Sequence, residues 1–345
     1  MTVHTRLLIG CLLVGGHALV AQDQHFTQFY ASPQMLNPGL VGAFEGRYRV
    51  SAIYRDQWRN VLDNPIRTFA VAGDLRFNPP FNRTSQDAVG LGLMFFTDQA
   101  SVVDFSTTQI ALALAYHKAL DVEGRQYLTL GVQGGLTQRN INYAYLNFSD
   151  EFDGFTGFVL PTGEQFPENN FAYPDLNVGL NYSARMGRRG ALFAGAAIHH
   201  ILEPRATFYN QGIPGDRFYR KISGQVAANI SLGTSRAALL PRFLFALQGP
   251  HAQMNAGTNV RFPVGRYGTS AVHLGGWVRP VRSTSGFDLD AIVGLIGFEV
   301  SNVLFGISYD INPQALSFGR RQGALEFSVA YLGEYENEQI LCPKF

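Results

Sequence analysis

Hydrophobic and polar positions alternate through most of this chain. In residues 47–54, Tyr48 and Val50 fall on one side of an extended backbone, while Arg49 and Ser51 fall on the other. A period of two is typical of β-strands, and about fourteen segments show it. The predicted strands are residues 47–54, 67–77, 88–97, 105–117, 126–139, 175–185, 191–202, 222–232, 242–248, 253–262, 269–279, 287–298, 303–311 and 323–332.

The alternation alone fits either a soluble sandwich, which buries its apolar face, or a membrane barrel, which turns that face to lipid. The large number of amphipathic strands, the lack of helical patterns to cover them and the aromatic residues near strand ends favour the barrel. We predict an all-β fold, a transmembrane antiparallel β-barrel of about 14 strands over residues 46–332, with an N-terminal periplasmic or plug segment. The aromatic residues near strand ends are Tyr48, Tyr54, Phe77, Tyr116, Tyr182, Tyr309 and Tyr331.

The lengths of the predicted loops are asymmetric in the way expected of an outer-membrane barrel. With both termini in the periplasm, loops after odd-numbered strands lie outside the cell. The two longest loops, residues 140–174 and 203–219, follow the fifth and seventh strands, whereas short turns at 186–190 and 263–266 follow the sixth and tenth.

The first 21 residues form a predicted secretory signal peptide, with basic Arg6, an apolar run and small Ala21 at its end. Cleavage as a lipoprotein before Cys11 is the alternative, but it would leave part of the apolar run on the mature protein. After the leader no apolar run reaches the roughly 18 residues that a membrane helix needs. We therefore expect an exported protein in the outer membrane, with a periplasmic tail at residues 333–345.

The composition and net charge of the chain support a β-rich fold and restrict the kinds of partner that we expect. High contents of Gly (37), Phe (27) and Tyr (15) suit aromatic strands joined by turns. Loss of Arg6 with the leader leaves 26 basic and 26 acidic residues, so no nucleic-acid partner is expected. If Cys11 is also removed, Cys342 is the only cysteine, and it is either a free thiol or paired with another chain.

Residues 22–45 separate the leader from the first strand and are too broken for a long helix. Pro33 and the sequence Asn37-Pro38-Gly39 interrupt any helical period, while bulky apolar side chains such as Phe26 require a surface. The stretch is either a mobile terminus or a docking segment. The barrel places it on the periplasmic side below the first strand, where it can enter the lumen or lie along the rim, and we expect it to be ordered.

Several short motifs resemble the PorP/SprF family, outer-membrane proteins of the type IX secretion and gliding-motility machinery. The resemblance spans the mature chain and is most specific at its two ends. It rests on Gln22-Asp23, Phe26-Thr27-Gln28-Phe29, Asn37-Pro38-Gly39, Gly42, Arg55-Asp56-Gln57-Trp58, His199-His200, Pro204, residues 323–331 and Cys342-Pro343-Lys344-Phe345.

The resemblance implies a barrel in the lipid bilayer that works with periplasmic and outer-membrane secretion components and with a secreted adhesin, without enzymatic activity or cofactor. The alternative is a passive outer-membrane pore for small solutes. The candidate partner contacts are Gln22, Asp23, Phe26, Gln28, Phe29, Tyr30, Asn37, Pro38, Gly39, Arg55, Gln57, Trp58 and Cys342.

Two groups of titratable residues are candidates for reactive sites. His199 and His200 are neighbours on a predicted strand, so they should point to opposite faces and not share a metal ion. Asp288 and Asp290 share the lumenal face. Paired carboxylates suit acid–base catalysis, but with arginines on the same face we expect these two residues to belong to a ladder of lumenal charges. The arginines expected to face the same lumen are Arg49, Arg76, Arg139, Arg185 and Arg261.

The long loop at residues 140–174 combines an acidic cluster with many aromatic residues. Asp150, Glu151 and Asp153 lack the ligand spacing of a dedicated calcium loop, and the aromatic residues are expected to pack over the barrel mouth or against a partner. Since the chain also has no Gly-x-Ser-x-Gly elbow, phosphate-binding loop or zinc spacing, we predict no catalytic, cofactor or metal site.

Overall fold

The structure is a computed structural model, and it describes residues 23–44, 46–59, 62, 64–79, 86–100, 104–187, 190–209, 216–233, 237–265, 270–283, 286–313 and 323–333. The signal peptide, Gln22, Cys342 and most of the tail lie outside the described residues. What the sequence indicates for them stays a prediction.

Fourteen strands account for most of the described residues, and each coincides with one predicted segment. They are β1 (Tyr48–Gln57), β2 (Ile66–Phe77), β3 (Ala88–Ala100), β4 (Phe105–Ala119), β5 (Gln126–Asn140), β6 (Asn170–Met186), β7 (Gly190–His199), β8 (Lys221–Ser231), β9 (Ala238–Gln248), β10 (His251–Val264), β11 (Ser270–Ser283), β12 (Gly286–Val300), β13 (Val303–Ile311) and β14 (Gly323–Gly333). Most predicted boundaries shift by a few residues. The largest shift is at β6, which already begins at Asn170, and Gly333 ends β14 rather than opening the tail.

The strands form one closed antiparallel barrel in which each strand pairs with its neighbours in sequence. The barrel closes between the first and last strands, with Tyr48 opposite Gly333 and Gln57 opposite Ala324. Closure leaves no strand edge with unpaired backbone groups, which is what makes a sheet compatible with lipid. The predicted 14-stranded barrel is therefore confirmed.

The two faces of the barrel differ in the way the alternation predicts. Large apolar side chains point outward, as in Leu112, which is 62% exposed, whereas polar and charged side chains point inward, as in Arg49, which is 1% exposed. An apolar outer band around a polar interior is the arrangement of a membrane barrel. No helix in the described part of the chain is long and apolar enough to cross a membrane.

Helical structure in the described residues is limited to single turns. One α-helical turn, α1, covers Pro33–Leu36, and 3₁₀ turns cover Phe29–Ala31, Pro38–Leu40, Tyr143–Tyr145 and Ser149–Glu151. The loops after β5 and β7 lie at the same end of the barrel, which we call the long-loop end. The first residue of β1 and the last residue of β14 lie at the opposite end.

Replacing Leu112 by arginine tests the lipid-facing band. A charge near the middle of β4 should destabilise the barrel in a bilayer by about 2–4 kcal/mol, because it has to lie in hydrocarbon. The same replacement at Val122, which is 93% exposed in the turn after β4, should have little effect. Denaturant unfolding in lipid vesicles measures both, and equal stabilities would contradict the assignment of the outer face.

Candidate functional site

Residues 23–44, which we call the inner segment, lie inside the barrel. The segment starts at the long-loop end, where the backbone N–H of Asp23 donates to Gln248 Oε1 (3.0 Å) at the end of β9. It finishes near the opposite end, where the carbonyl of Val41 is 2.8 Å from His117 Nε2 on β4. Of the two expected placements, in the lumen or along the rim, the structure has the lumen. The segment is not confined to the side below the first strand, since its first described residue lies at the far end of the barrel.

The local sequence explains why this segment is compact but not one helix. Pro33 begins α1 because its fixed φ and missing N–H suit the first helical turn. Asn37 then starts a new turn, and its side-chain oxygen accepts from the N–H of Gly39 (2.7 Å). Three consecutive short turns result, and they fold the chain closely enough to fit within the barrel.

Near the long-loop end, Thr27 lies among charged side chains from five strands, all of them buried except the half-buried Asp290. We call this group the Thr27 cluster: Thr27, Arg55, Arg279, Asp290, Asp310 and Glu326. Arg55 pairs with Asp310 (3.1 Å) and with Glu326. Arg279 pairs with Asp310 (2.8 Å) and Asp290 (2.7 Å). The hydroxyl of Thr27 donates to Asp310 (2.7 Å), and its backbone N–H donates to Glu326 (2.7 Å). Burial makes an unpaired charge costly, so these contacts hold the start of the segment.

Both polar atoms of the Gln28 side chain form hydrogen bonds with the last two strands. Its Nε2 donates to Ser308 Oγ (3.0 Å) and its Oε1 accepts from Ser328 Oγ (2.8 Å), while its backbone N–H donates to Glu326 Oε2 (2.9 Å). Buried amides destabilise when they lack partners, so this set of contacts fixes the side chain in one position.

An aromatic group holds the middle of the inner segment. Tyr30 stacks on Trp277 with ring centroids 5.7 Å apart, and Phe29 meets the same indole edge to face at 5.6 Å. The guanidinium of Arg242 lies 3.9 Å from the centroid of Tyr30. Asn259 donates to the Tyr30 hydroxyl (3.2 Å) and accepts from Trp277 Nε1 (3.0 Å). Cation–π contact and stacking together anchor the ring.

Asp23 is bound by three side chains at the mouth of the barrel. His200 Nε2 (2.9 Å), Gln248 Nε2 (3.1 Å) and Lys221 Nζ (3.3 Å) all contact its carboxylate. Burial opposes ionisation of Asp23, but the charges of His200 and Lys221 outweigh it and hold its pKa well below the usual range. Burial likewise disfavours charged His200, yet Asp23 and Asp175 raise its pKa to about 10.

The two adjacent histidines do not behave as strand neighbours. His199 ends β7, but His200 follows the strand with a φ of 56°, and its Nδ1 lies 3.0 Å from Asp175. The rule that neighbours face opposite sides therefore fails here, because it holds only within a strand. No group of three or more His, Cys, Asp or Glu residues suited to a metal ion occurs among the described residues.

At the opposite end a second buried ion pair holds the end of the inner segment. Arg49 pairs with Asp74 (2.6 Å) and donates to the carbonyl of Leu40 (3.2 Å). Asp74 also accepts from the backbone N–H of Gly42 (2.8 Å). The guanidinium of Arg49 lies 4.8 Å from the ring centroid of Phe44. The segment is thus held by paired charges at both of its ends.

Two glycines of the barrel wall let the inner segment approach the sheet backbone. A Cβ at Gly131 would overlap the backbone carbonyl group of Pro38, and one at Gly179 would overlap the side chain of Asn37. Asn37 Nδ2 donates to the carbonyl of Leu180 (2.9 Å) at this close approach. Since only glycine lacks a Cβ, these positions admit the segment at this depth.

The structure gives most of the candidate partner contacts a position within the barrel. Phe26, Gln28, Phe29, Asn37, Pro38, Gly39 and Arg55 are buried, whereas Asp23, Tyr30, Gln57 and Trp58 are half-buried. Their contacts with a partner protein stay a prediction. Sequence reasoning did not place Thr27, Asp74, Asp310 or Glu326 among the candidate contacts. The strand alternation alone puts the three carboxylates on the lumenal face.

The arginines predicted to form a lumenal ladder are in part paired with carboxylates. Arg49 pairs with Asp74, and Arg261 pairs with Glu299 (2.7 Å). Of the two aspartates on β12, Asp290 pairs with Arg279. The lumen as a whole thus holds the inner segment with paired charges, hydrogen-bonded amides and stacked rings.

Replacing Gly131 by valine should release the inner segment. The new side chain needs the space of the Pro38 carbonyl, so residues 23–44 should become accessible to protease while the barrel stays folded. Gly134→Val on the same strand is the matched control, because a Cβ there meets nothing within 4 Å. Limited proteolysis with peptide identification measures the difference, and equal protection in both variants would contradict the described packing.

Among the solved structures compared with this chain, the channel CymD supports the same class of fold, at very low sequence identity. The monoaromatic hydrocarbon channel CymD is 9% identical with a TM-score of 0.50, covering 89% of this chain and 93% of that chain. A FadL homologue from Pseudomonas aeruginosa is 10% identical with a TM-score of 0.47, covering 86% and 92%. BamA from Haemophilus ducreyi lacking POTRA domains 1–3 is 9% identical with a TM-score of 0.44, covering 84% and 70%.

Comparison of sequences gives a more specific result. No curated protein matches this chain. Residues 18–331, however, match the profile of a family described as "Type IX secretion system membrane protein PorP/SprF". The match covers the inner segment and all but the last two residues of the barrel strands. It confirms the resemblance seen in the short motifs, and the chain belongs to the PorP/SprF family of type IX secretion system membrane proteins.

Proposed function

We propose that this protein is a non-enzymatic scaffold of the type IX secretion and gliding machinery, linking periplasmic ring or motor components to a secreted surface adhesin. The observation that carries the proposal is the inner segment, which occupies the lumen and is held there by paired charges at both ends. A barrel occupied in this way suits a part that holds other proteins better than one that passes solutes.

The two ends of the barrel suit two different partners. The long loops after β5 and β7 provide a broad surface at one end. We expect this end to face the cell exterior, because outer-membrane barrels have their longer loops on that side. The opposite end carries short turns together with the ends of β1 and β14. After export by the signal peptide, we expect Gln22, Cys342 and the rest of residues 334–345 to make further contacts with secretion components.

Affinity purification of the full-length protein in mild detergent tests this proposal. We expect other secretion components and a surface adhesin to co-elute, and we expect deletion of residues 23–42 to reduce them while leaving the barrel in the membrane. Co-elution of no secretion component with the intact protein would contradict the scaffold. Loss of the deleted barrel from the membrane would instead make the segment part of the fold.

A passive pore for small solutes is the second candidate. It is favoured by two cavities beside the inner segment, one of about 90 Å³ lined by Phe29 and Leu244, and one of about 80 Å³ lined by Gln133 and His199. CymD, whose fold is similar, is named as a hydrocarbon channel, but at 9% identity the likeness extends to the fold alone.

Conductance in planar bilayers separates the scaffold from the pore. The intact barrel should conduct little, because the inner segment fills its lumen, whereas deletion of residues 23–42 should produce steady channels. The control is Gly134→Val, which should behave like the intact protein. Steady conductance through the intact barrel without partners would favour the pore.

A further inference from the structure

The loop between β5 and β6 is strongly acidic. Residues 141–169 contain five acidic side chains and no Lys, Arg or His, which gives a net charge of −5. The neighbouring loop at residues 201–220 has three arginines against one glutamate and one aspartate, a net charge of +1, and therefore does not cancel it. The acidic side chains are Asp150, Glu151, Asp153, Glu164 and Glu168.

Within this acidic loop, residues 152–160 form an exposed apolar hairpin, which we call the knob. Phe155 at its tip is 96% exposed, and Val159 is 66% exposed. Phe152, Phe158 and Leu160 are about half exposed beside them. An aromatic group that packs against so little of its own chain is typical of an interaction site.

Hydrogen bonds give the knob one defined shape. Phe152 and Phe158 form a β-bridge, with their ring centroids 5.4 Å apart. The N–H groups of Val159 and Leu160 both donate to the carbonyl of Glu151, at 2.9 and 3.0 Å. An anchor that is already ordered loses less conformational entropy when it binds.

The tip of the knob is fixed by the carboxylate of Asp153. It accepts from the N–H groups of Phe155 (2.9 Å), Thr156 (2.7 Å) and Gly157 (3.0 Å), and also from the Thr156 hydroxyl. The hydroxyl and these N–H groups hold the pKa of Asp153 well below its usual range, so its negative charge persists beside the apolar tip.

The charge decides which occupant the knob fits. The outer leaflet of a bacterial outer membrane is anionic, so a loop of net charge −5 is repelled from it, and a second copy of the same loop would be repelled as well. A protein with basic residues around an apolar cavity complements both the tip and its surroundings. We propose that the knob docks into an apolar pocket rimmed by Lys and Arg on a secreted protein. This rests on the proposed function and names the chemistry of its outer partner.

Site-specific photocrosslinking in cells tests the proposal with the full-length protein. A benzoylphenylalanine at position 155 should form an adduct with a secreted protein, identified by mass spectrometry, whose crosslinked surface is rich in Lys and Arg. The same probe at Val122, equally exposed at the opposite end of the barrel, should not capture that protein. An adduct with lipid alone, an adduct with a second copy of this chain, or no adduct would overturn the proposal.

Binding of the captured protein then tests the two parts of the interface. Phe155→Ser should weaken its affinity for the purified barrel by about tenfold or more, as expected for an aromatic anchor, while Val122→Ser should leave the affinity unchanged. The affinity should also fall as salt is raised, since dissolved ions screen the attraction between the acidic loop and the basic rim of the pocket. An affinity unaffected by Phe155→Ser, or insensitive to salt, would count against the knob.

The two proposals fail separately. If secretion components co-purify with the barrel but position 155 yields no adduct, the docking proposal for the knob is wrong and the scaffold proposal is retained. If position 155 captures a basic secreted protein and no secretion component co-purifies, the scaffold fails and the docking site stands.

Discussion

Two arginines and three carboxylates meet inside the barrel near the long-loop end, and the carboxylates receive their full set of hydrogen bonds only with the inner segment in place. Arg55 and Arg279 face Asp290, Asp310 and Glu326, which leaves one negative charge in excess. The backbone N–H groups of Thr27 and Gln28 both donate to Glu326, which is 0% exposed. Because a buried carboxylate needs donors, the inner segment supplies hydrogen bonds that the five strands carrying these charges do not.

The same dependence recurs with different chemistry along the lumen. Asp74 on β2 receives both the guanidinium of Arg49 and the N–H of Gly42, so wall and segment share one carboxylate. Midway, Trp277 supplies the surface on which Tyr30 stacks. Gly131 and Gly179 then admit the chain where any side chain would exclude it. The lumenal residues are therefore matched to the inner segment as well as to each other.

The strands and their faces were predictable because lipid outside and polar groups inside impose a period of two on the sequence. The path of the inner segment was not, because residues 23–44 have no period, and their contacts join distant positions such as Asn37 and Leu180. The position of the His200 side chain was not predictable for a local reason. One positive φ after β7 ends the alternation of faces, and the residue types around it do not signal this change. Alternation also places Asp310 and Glu326 in the lumen. Their shared partner, Arg55 on β1, lies next to them only because the barrel closes between β1 and β14.

Family membership and the barrel fold describe a membrane component of a secretion system, and the lumen adds a mechanical consequence. Fully extended, residues 23–44 would measure about 70 Å, roughly twice the length of the ten residues of β1. Their three short turns store that length within the barrel. Released from the lumen, the segment would reach well beyond either rim, and the contacts of Thr27 and Arg49 are among those that oppose its release.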